Sequence, residues 1–155
     1  MPKRKYIKYK EGYKYQLYEV YKDHISIRPE VDIVTRYILL SVVGELEIRY
    51  GYAWDGASGP TIDTLNSMRG SLIHDALYQL MRMGLLEHKW KTKADLLFEK
   101  ILVEDDMSKC RARVWFRGVD KLAASATRAE NVKKVITAPA EKQTQFLEGV
   151  DDAPD

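Results

Sequence analysis

The chain changes its hydrophobic period once, and that change limits the folds open to it. Up to about residue 50, apolar and aromatic residues alternate with polar ones, as in "YKYQLYEVY" (13–21). This period of two is typical of half-buried strands. From about residue 66, apolar residues recur every three or four positions, which is the period of an amphipathic helix. Strands that come first and helices that follow predict an α+β fold rather than alternating parallel units.

The N-terminal part is predicted to form antiparallel strands and hairpins. "YKYQLYEVY" is one strand, and "HISIRP" (24–29) is a short partner strand. "TRYILLSVV" (35–43) and "ELEIRYGY" (45–52) flank a glycine and predict a hairpin. One face of the second hairpin strand is expected to carry Leu46, Ile48 and Tyr50.

The C-terminal part is predicted to form three helices. The first runs from Asn66 or Ser67 to Met83, the second follows Thr92 as its N-cap, and the third runs from Ser108 to about Ala126. The residues expected to be buried are Met68, Leu72, Ala76 and Leu80 on the first, Leu97, Phe98, Ile101 and Leu102 on the second, and Val114, Trp115, Val119 and Leu122 on the third.

Composition predicts one globular domain with charged ends. The 155 residues are 45% hydrophobic and 31% charged, and the net charge is +2. We expect a basic, flexible start (1–10), a single α+β domain (11–130) and an acidic, flexible tail (131–155). So small a net charge gives no strong signal for nucleic acid, and the oligomeric state stays open.

The single cysteine, Cys110, allows no disulfide within the chain, so a reducing compartment is expected. No apolar signal-peptide core follows the basic first residues. The longest apolar run, "YILLSVVG" (37–44), is much shorter than the roughly 20 residues that cross a bilayer. We therefore expect neither secretion by a signal of its own nor a transmembrane segment.

One stretch of the first helix, "SLIHDALYQL", carries polar groups that suit catalysis. Residues four apart share a helix face, so His74 and Tyr78 are neighbours. Asp75 points about 100° away from His74. A histidine acts as a general base when a carboxylate holds its other ring nitrogen. Asp95, on the second helix, is the predicted partner, so the predicted catalytic residues are His74, Asp95 and Tyr78.

The glycine-rich segment "GYAWDGASGPTIDTLNS" (51–67) is the second candidate element. Such a loop can offer backbone N–H groups to an oxyanion, or carbonyl oxygens to a hard cation. The predicted substrate or oxyanion loop consists of Trp54, Asp55, Gly56, Ala57 and Ser58. Asp75 and Asp55 are the predicted ligands of a divalent cation, with calcium as the candidate; no other cofactor is expected.

Each of these residues also has a structural interpretation. A single helical histidine is more often a hydrogen-bonded structural residue than a catalyst. Aspartate before glycine is a common turn former, and Trp54 is more readily a core residue. The third helix carries several cations, for which we expect a solvated surface because helical spacing scatters them. These are Lys109, Arg111, Arg113, Arg117 and Lys121.

Three motifs that occur in order resemble those of a family of small bacteriophage and prophage proteins with no settled activity. The motifs lie in "GYAWDGASGPTID" (51–63), "HDALYQLMR" (74–82) and "KADLLFEKIL" (93–102), and "RARVWFRGVDKL" (111–122) follows them. The resemblance covers roughly residues 35 to 122. It implies a phage origin, with the host bacterial cytoplasm or the virion as location and phage or host proteins as partners.

A second resemblance concerns the reaction alone. Secreted phospholipases of the A-two type have a glycine-rich calcium loop, a helix with His-Asp-x-x-Tyr, and an antiparallel helix whose aspartate orients the histidine. His74, Asp75 and Tyr78 match that helix motif, and Asp95 takes the orienting position. The departures are the lack of disulfides, loop glycines that do not align, and a longer distance from loop to histidine.

Two hypotheses follow. In the first, the chain is a metal-assisted hydrolase whose base is His74. In the second, it is a non-enzymatic virion, assembly or host-interaction protein in which His74 and Asp75 fix the path of the glycine-rich loop.

Overall fold

A computed structural model describes residues 15–56 and 64–119 with their side chains, and the backbone of residues 7–9, 120–122 and 136–138. The chain divides into two compact units. The larger is Gly12–Lys133, and the other consists of Met1–Glu11 with Lys134–Asp155. In the larger unit, antiparallel strands precede three helices, which confirms the predicted α+β class.

Four strands of the larger unit form one antiparallel sheet. They are β3 (Tyr21–His24), β4 (Ile33–Val34), β5 (Ile38–Leu40) and β6 (Glu45–Ile48), in the spatial order β3-β6-β5-β4. The register pairs Ile38 with Ile48 and Leu40 with Leu46. All four of these side chains are buried, so they form one apolar face. The predicted hairpin between β5 and β6 is confirmed.

Gly44 closes that hairpin in a conformation that other residues rarely adopt. Its φ is +89°, and an added Cβ would lie 2.3 Å from the carbonyl oxygen of Ile25. The N–H of Ile25 donates to the Gly44 carbonyl at 2.8 Å. A side chain at this position would therefore break a backbone contact between two segments.

The prediction of one continuous strand over residues 13–21 is wrong. The structure contains β2 (Tyr15–Gln16), which pairs with β7 (Ala53–Trp54), and then β3, which pairs with β6. One stretch thus belongs to two ladders and bends between them, which leaves Tyr18 82% exposed.

Two further strand predictions were wrong. "HISIRP" buries Ile25 and Ile27 but forms no strand beyond His24, because β6 begins at Glu45 and offers no further partner. Tyr50 does not share the inner face of Leu46 and Ile48. The chain turns at Gly51 after β6 ends, and Tyr50 is 62% exposed.

The three helices lie close to their predicted positions. They are α1 (Leu65–Arg82), α2 (Lys91–Glu104) and α3 (Lys109–Leu122). Thr64 is the N-cap of α1, and its N–H donates to the Ser67 hydroxyl at 3.0 Å. Thr92 is not the N-cap of α2, because a short 3₁₀ helix (His88–Trp90) runs directly into Lys91.

Most predicted core residues of the helices are buried. Val114 is an exception at 66% exposure, because α3 turns Ala112, Trp115 and Val119 inward. Met68 and Leu97 are half-buried. The side chain of Leu122 and residues 123–126 lie outside the described part of the chain.

Helices α1 and α2 pack closely at Gly70, where there is little room for a side chain. A Cβ at Gly70 would meet Phe98 at 3.1 Å and Leu102 at 3.3 Å. The buried stretch of α1 that follows, from Leu72 to Met81, faces both the sheet side chains of the core cluster and α2. This packing brings the polar residues of α1 and α2 together.

The end segments contain a pair of strands that the sequence did not indicate. Strand β1 (Ile7–Tyr9) pairs antiparallel with β8 (Ile136–Ala138). Three residues with one alternation are too few to stand out from a charged tail. The boundaries 1–10, 11–130 and 131–155 stay a prediction. Among the described helices, none is long and apolar enough to cross a membrane.

Candidate functional site

The central feature of the site is a contact between His74 of α1 and Asp95 of α2. His74 Nε2 lies 2.8 Å from Asp95 Oδ1. Asp95 is fully buried, and His74 is 7% exposed. The two residues come from neighbouring helices and are 21 positions apart in the chain. The contact therefore depends on helix packing.

Two more side chains bind the same carboxylate. The Tyr78 hydroxyl donates to Asp95 Oδ1 at 2.5 Å, and Lys91 Nζ donates to Oδ2 at 2.8 Å. His74 and Tyr78 are four residues apart on α1, and Lys91 and Asp95 are four apart on α2, so each pair shares a helix face. We call His74, Tyr78, Lys91 and Asp95 the His74 cluster.

The surroundings of Asp95 keep it ionised. Burial alone would raise the pKa of its carboxyl, but the hydrogen bonds from His74, Lys91 and Tyr78 together outweigh burial and hold that pKa below its usual value. An ionised carboxylate only accepts hydrogen bonds. His74 Nε2 must therefore carry a proton and donate it to Asp95.

Burial keeps the His74 ring neutral. It lowers the pKa of His74 below its ordinary value, and the attraction of Asp95 does not restore it. A neutral imidazole that is protonated at Nε2 has a lone pair at Nδ1. The cluster thus fixes one tautomer of His74.

Nδ1 is the free atom of the cluster. Among the described residues, none forms a hydrogen bond with it. The one side-chain nitrogen or oxygen in that part of the chain that is both fully enclosed and unpaired is Trp90 Nε1. Nδ1 of His74 is therefore the ring nitrogen that the described residues leave available for a further hydrogen bond.

Aromatic rings hold the plane of the imidazole. The Tyr78 ring centroid lies 3.9 Å from that of His74, and the Phe98 centroid lies at 5.1 Å. Phe98 in turn contacts Trp115 of α3, at 6.5 Å between centroids. The ring can neither tilt nor rotate without disturbing the core, so Nδ1 points in a fixed direction.

The glycine-rich segment begins beside α1. Trp54 is buried, and its Nε1 donates to the Ser71 hydroxyl at 3.1 Å. Ser71 precedes His74 by about one helical turn. Tyr15 packs against Trp54, at 5.6 Å between ring centroids. The hydrogen bond from Trp54 to Ser71 therefore holds the start of the predicted loop near the His74 cluster.

The rest of the predicted loop is described only in part. Asp55 is exposed, and Gly56 is buried with a φ of +83°. Ala57 and Ser58 lie outside the described residues.

The two predicted metal ligands are not among the described hydrogen-bond partners of His74 and Asp95. Asp75 is half-buried and Asp55 is exposed. In the described ranges, no group of three or more histidine, cysteine, aspartate or glutamate residues could hold a metal ion. The metal-binding roles of Asp75 and Asp55 therefore remain predictions.

Lys91 is the cluster member that its sequence pattern did not predict. The available signal was its position four residues before Asp95. Such a spacing ordinarily indicates a surface ion pair, yet the Lys91 side chain is only 20% exposed.

A separate cavity of about 520 Å³ lies on the outer face of the four-stranded sheet. A row of cross-strand neighbours crosses it, formed by Lys22, Glu47, Leu39 and Val34. None of its lining residues belongs to the His74 cluster.

Comparison of the chain with models of protein families, with curated proteins and with solved structures found no match. The resemblances noted in the sequence therefore stay predictions, and the geometry of the described residues is what bears on function.

Proposed function

We propose that the His74 cluster is the catalytic centre of a hydrolase in which His74 acts as general base through Nδ1. The observation that carries this proposal is the division of roles between the two ring nitrogens. Nε2 is held by a buried carboxylate, and Nδ1 has no hydrogen-bond partner among the described residues. A base needs an unprotonated nitrogen in a fixed direction, and this arrangement supplies one.

The proposed step is the addition of water to an ester or amide carbonyl. Nδ1 takes a proton from water while the water oxygen bonds to the carbonyl carbon. The tetrahedral intermediate then releases the alcohol or amine, which receives the proton from Nδ1. Asp95 stabilises the imidazolium that exists between these two transfers, and Tyr78 and Lys91 keep Asp95 ionised and in place.

The oxyanion of that intermediate needs stabilisation as well. Backbone N–H groups of the segment from Trp54 to Ser58 are the proposed donors. The oxygen ligands of Asp55 and Asp75 suit calcium by their chemistry. Since the described residues do not bring three such ligands together, no step of the reaction is assigned to a metal.

The proposed substrate is an ester or amide of a bacterial cell envelope or a small molecule of the host. This choice follows from the proposed phage origin, which the motifs in residues 35–122 support.

Hydrolysis of p-nitrophenyl esters between pH 5 and 9 tests the proposal. We expect slow turnover that is lost in His74→Ala, and that falls by a factor of about 100 or more in Asp95→Asn because the tautomer is no longer fixed. Tyr78→Phe should retain most of the turnover. His24→Ala, at an exposed histidine, is the matched control.

An independent measurement needs no substrate. Long-range ¹H–¹⁵N spectra of the histidines should show His74 protonated at Nε2 alone at pH 7. A proton on Nδ1 at that pH, or ester hydrolysis that His74→Ala leaves unchanged, would overturn the proposal.

A second candidate function is a non-enzymatic phage protein. It is favoured by the complete burial of Asp95 and by the fact that both of its oxygens are engaged. In that case the His74 cluster only stabilises the packing of α1 against α2. A large drop in melting temperature in His74→Ala, with no ester hydrolysis by the wild type, would support this function. A folded His74→Ala that has lost hydrolysis supports the enzyme.

A further inference from the structure

Helix α3 presents a strongly basic surface that the proposed hydrolase does not use. Between Lys109 and Val119 the sequence has four cationic residues and no acidic one. All four are exposed, while Ala112, Trp115 and Val119 face the core. We call the four cations Lys109, Arg111, Arg113 and Arg117 the α3 basic face.

Three of these cations follow one line along the helix. Lys109, Arg113 and Arg117 are spaced by four residues, so successive charges lie about 6 Å apart along the axis. Like charges at this spacing repel and weaken a helix. The helix tolerates this repulsion because Trp115 and Val119 pack into the core.

Little in the structure neutralises this face. Arg113 forms an ion pair with Glu99 at 3.0 Å. Among the described side chains, none forms an ion pair with Lys109, Arg111 or Arg117. Lys109, Arg111 and Arg117 therefore keep their full positive charges. Lys109 and Arg117 lie on the same side of α3 as Arg113, and Arg111 lies at its flank, about 120° around the helix from Arg117.

Arg111 is also held in a defined orientation. Its guanidinium carbon lies 5.5 Å from the centre of the Trp115 ring. An arginine that stacks on an aromatic ring keeps the N–H groups along its edge available to a phosphate. Arg113 lies over Phe116 in the same way, at 5.0 Å.

We infer that the α3 basic face binds the phosphate backbone of a double-stranded nucleic acid without reading its sequence. Duplex DNA carries one negative charge about every 3.4 Å along each strand. Cations spaced by about 6 Å on a straight helix can therefore reach phosphates of one strand.

The same chemistry fits an anionic membrane less well. A helix that binds a membrane inserts its apolar side, and the apolar side of α3 is buried against the core. The exposed side offers one sizeable apolar residue, Val114. The four cations also include three arginines, the residue that suits phosphate best by geometry.

The test is fluorescence anisotropy of the full chain with a labelled duplex DNA of about 20 base pairs, at salt concentrations from about 50 to 200 mM. Three free cations predict a log–log salt slope near −3, or binding about 40-fold weaker at the higher salt. The variant Lys109→Ala/Arg117→Ala should reduce the slope to about −1. Arg28→Ala/Lys100→Ala makes the same change in net charge at other exposed sites and should leave the slope unchanged.

Circular dichroism must show both variants folded, and Lys109→Gln/Arg117→Gln replaces the alanine pair if it does not fold. The inference is overturned if the wild type binds no duplex, or if the control pair weakens binding as much as the α3 pair. It is also overturned if the chain binds phosphatidylglycerol vesicles but not DNA, since that outcome assigns the face to a membrane.

Discussion

At the scale of single residues, the protonation of His74 connects the fold to the proposed reaction. Burial lowers the pKa of His74, whereas in the unfolded chain a histidine titrates near 6.5. Below about pH 6.5 the unfolded chain therefore binds a proton that the folded chain does not. The free energy of unfolding must fall as the pH falls through this range, by up to about 1.4 kcal/mol per pH unit.

We predict that His74→Gln lacks this part of the pH dependence. Urea denaturation at pH 7.5, 6.5 and 5.5 should show a flatter profile for His74→Gln than for the wild type. His24→Gln, at an exposed histidine, should follow the wild type. Equal profiles for wild type and His74→Gln would mean that His74 takes up its proton in the folded state.

The Asp95 carboxylate is the residue on which the rest of the cluster depends. Its lowered pKa stabilises the folded state above about pH 4, and that stability is lost as the pH falls through the folded pKa. Asp95→Asn removes the negative charge that Lys91 and His74 contact, and it replaces one of the two acceptor oxygens with an NH2 donor. We predict a loss of about 2 to 4 kcal/mol in the free energy of unfolding at pH 7.

Tyr78→Phe removes one donor and leaves the charge in place, so we expect a loss of about 1 kcal/mol. Chemical denaturation of the two variants side by side measures the difference. If Asp95→Asn costs no more than Tyr78→Phe, the ionised state assigned to Asp95 is wrong.

At the scale of elements, the contact between α1 and α2 is set by a glycine. A Cβ at Gly70 would lie 3.1 Å from Phe98, which is tighter than an ordinary contact. Phe98 is 2% exposed and lies between His74 and Trp115, so it cannot move aside. We predict that Gly70→Ala destabilises the protein, although alanine is the better helix former by about 1 kcal/mol.

Gly118 of α3 is the matched control for this prediction. It is also inside a helix, but a Cβ there would meet nothing within 4 Å. Gly118→Ala should therefore raise the melting temperature, and Gly70→Ala should lower it. Differential scanning calorimetry gives both values, and a rise in both would show that α1 and α2 have room to separate.

The elements also show how far the sequence could predict this fold. The helices follow from their apolar spacing, because a period of 3.6 over 14 to 18 residues repeats often enough to be distinct. The strands are two to four residues long, and their pairing depends on contacts far along the chain. Val114 was placed in the core because spacing alone does not fix which side of α3 meets α2.

Part of the candidate site could also be predicted from the sequence, and part could not. The contact between His74 and Asp95 could be expected, since two long amphipathic helices joined by a short break pack antiparallel. The part played by Lys91 could not, because only the packing of α1 against α2 encloses what would otherwise be a surface ion pair. The tautomer of His74 follows from three donors around one carboxylate, which the sequence does not reveal.

At the scale of the whole larger unit, Arg69 joins the sheet to the helices. From α1, its guanidinium donates to Asp105 at the end of α2, at 2.8 and 3.0 Å, and to Glu104 at 2.9 Å. It also reaches the hydroxyl of Tyr21 in β3, at 3.4 Å. Burial, with the nearby Asp23, raises the pKa of Tyr21 to about 12, so that hydroxyl stays protonated and donates to Asp23.

We predict that Arg69→Ala lowers the free energy of unfolding by about 1 to 2 kcal/mol, since these hydrogen bonds involve charged groups but the side chain is 31% exposed. Arg69→Lys should recover less than half of the loss, because an ammonium cannot contact Asp105 and Tyr21 at once. Arg113→Ala removes an arginine that is 52% exposed and bound to one acid, and should change stability little. Urea denaturation of the three variants measures these changes in the free energy of unfolding. If Arg69→Ala and Arg113→Ala cost the same, the sheet and helices are held together by apolar packing alone.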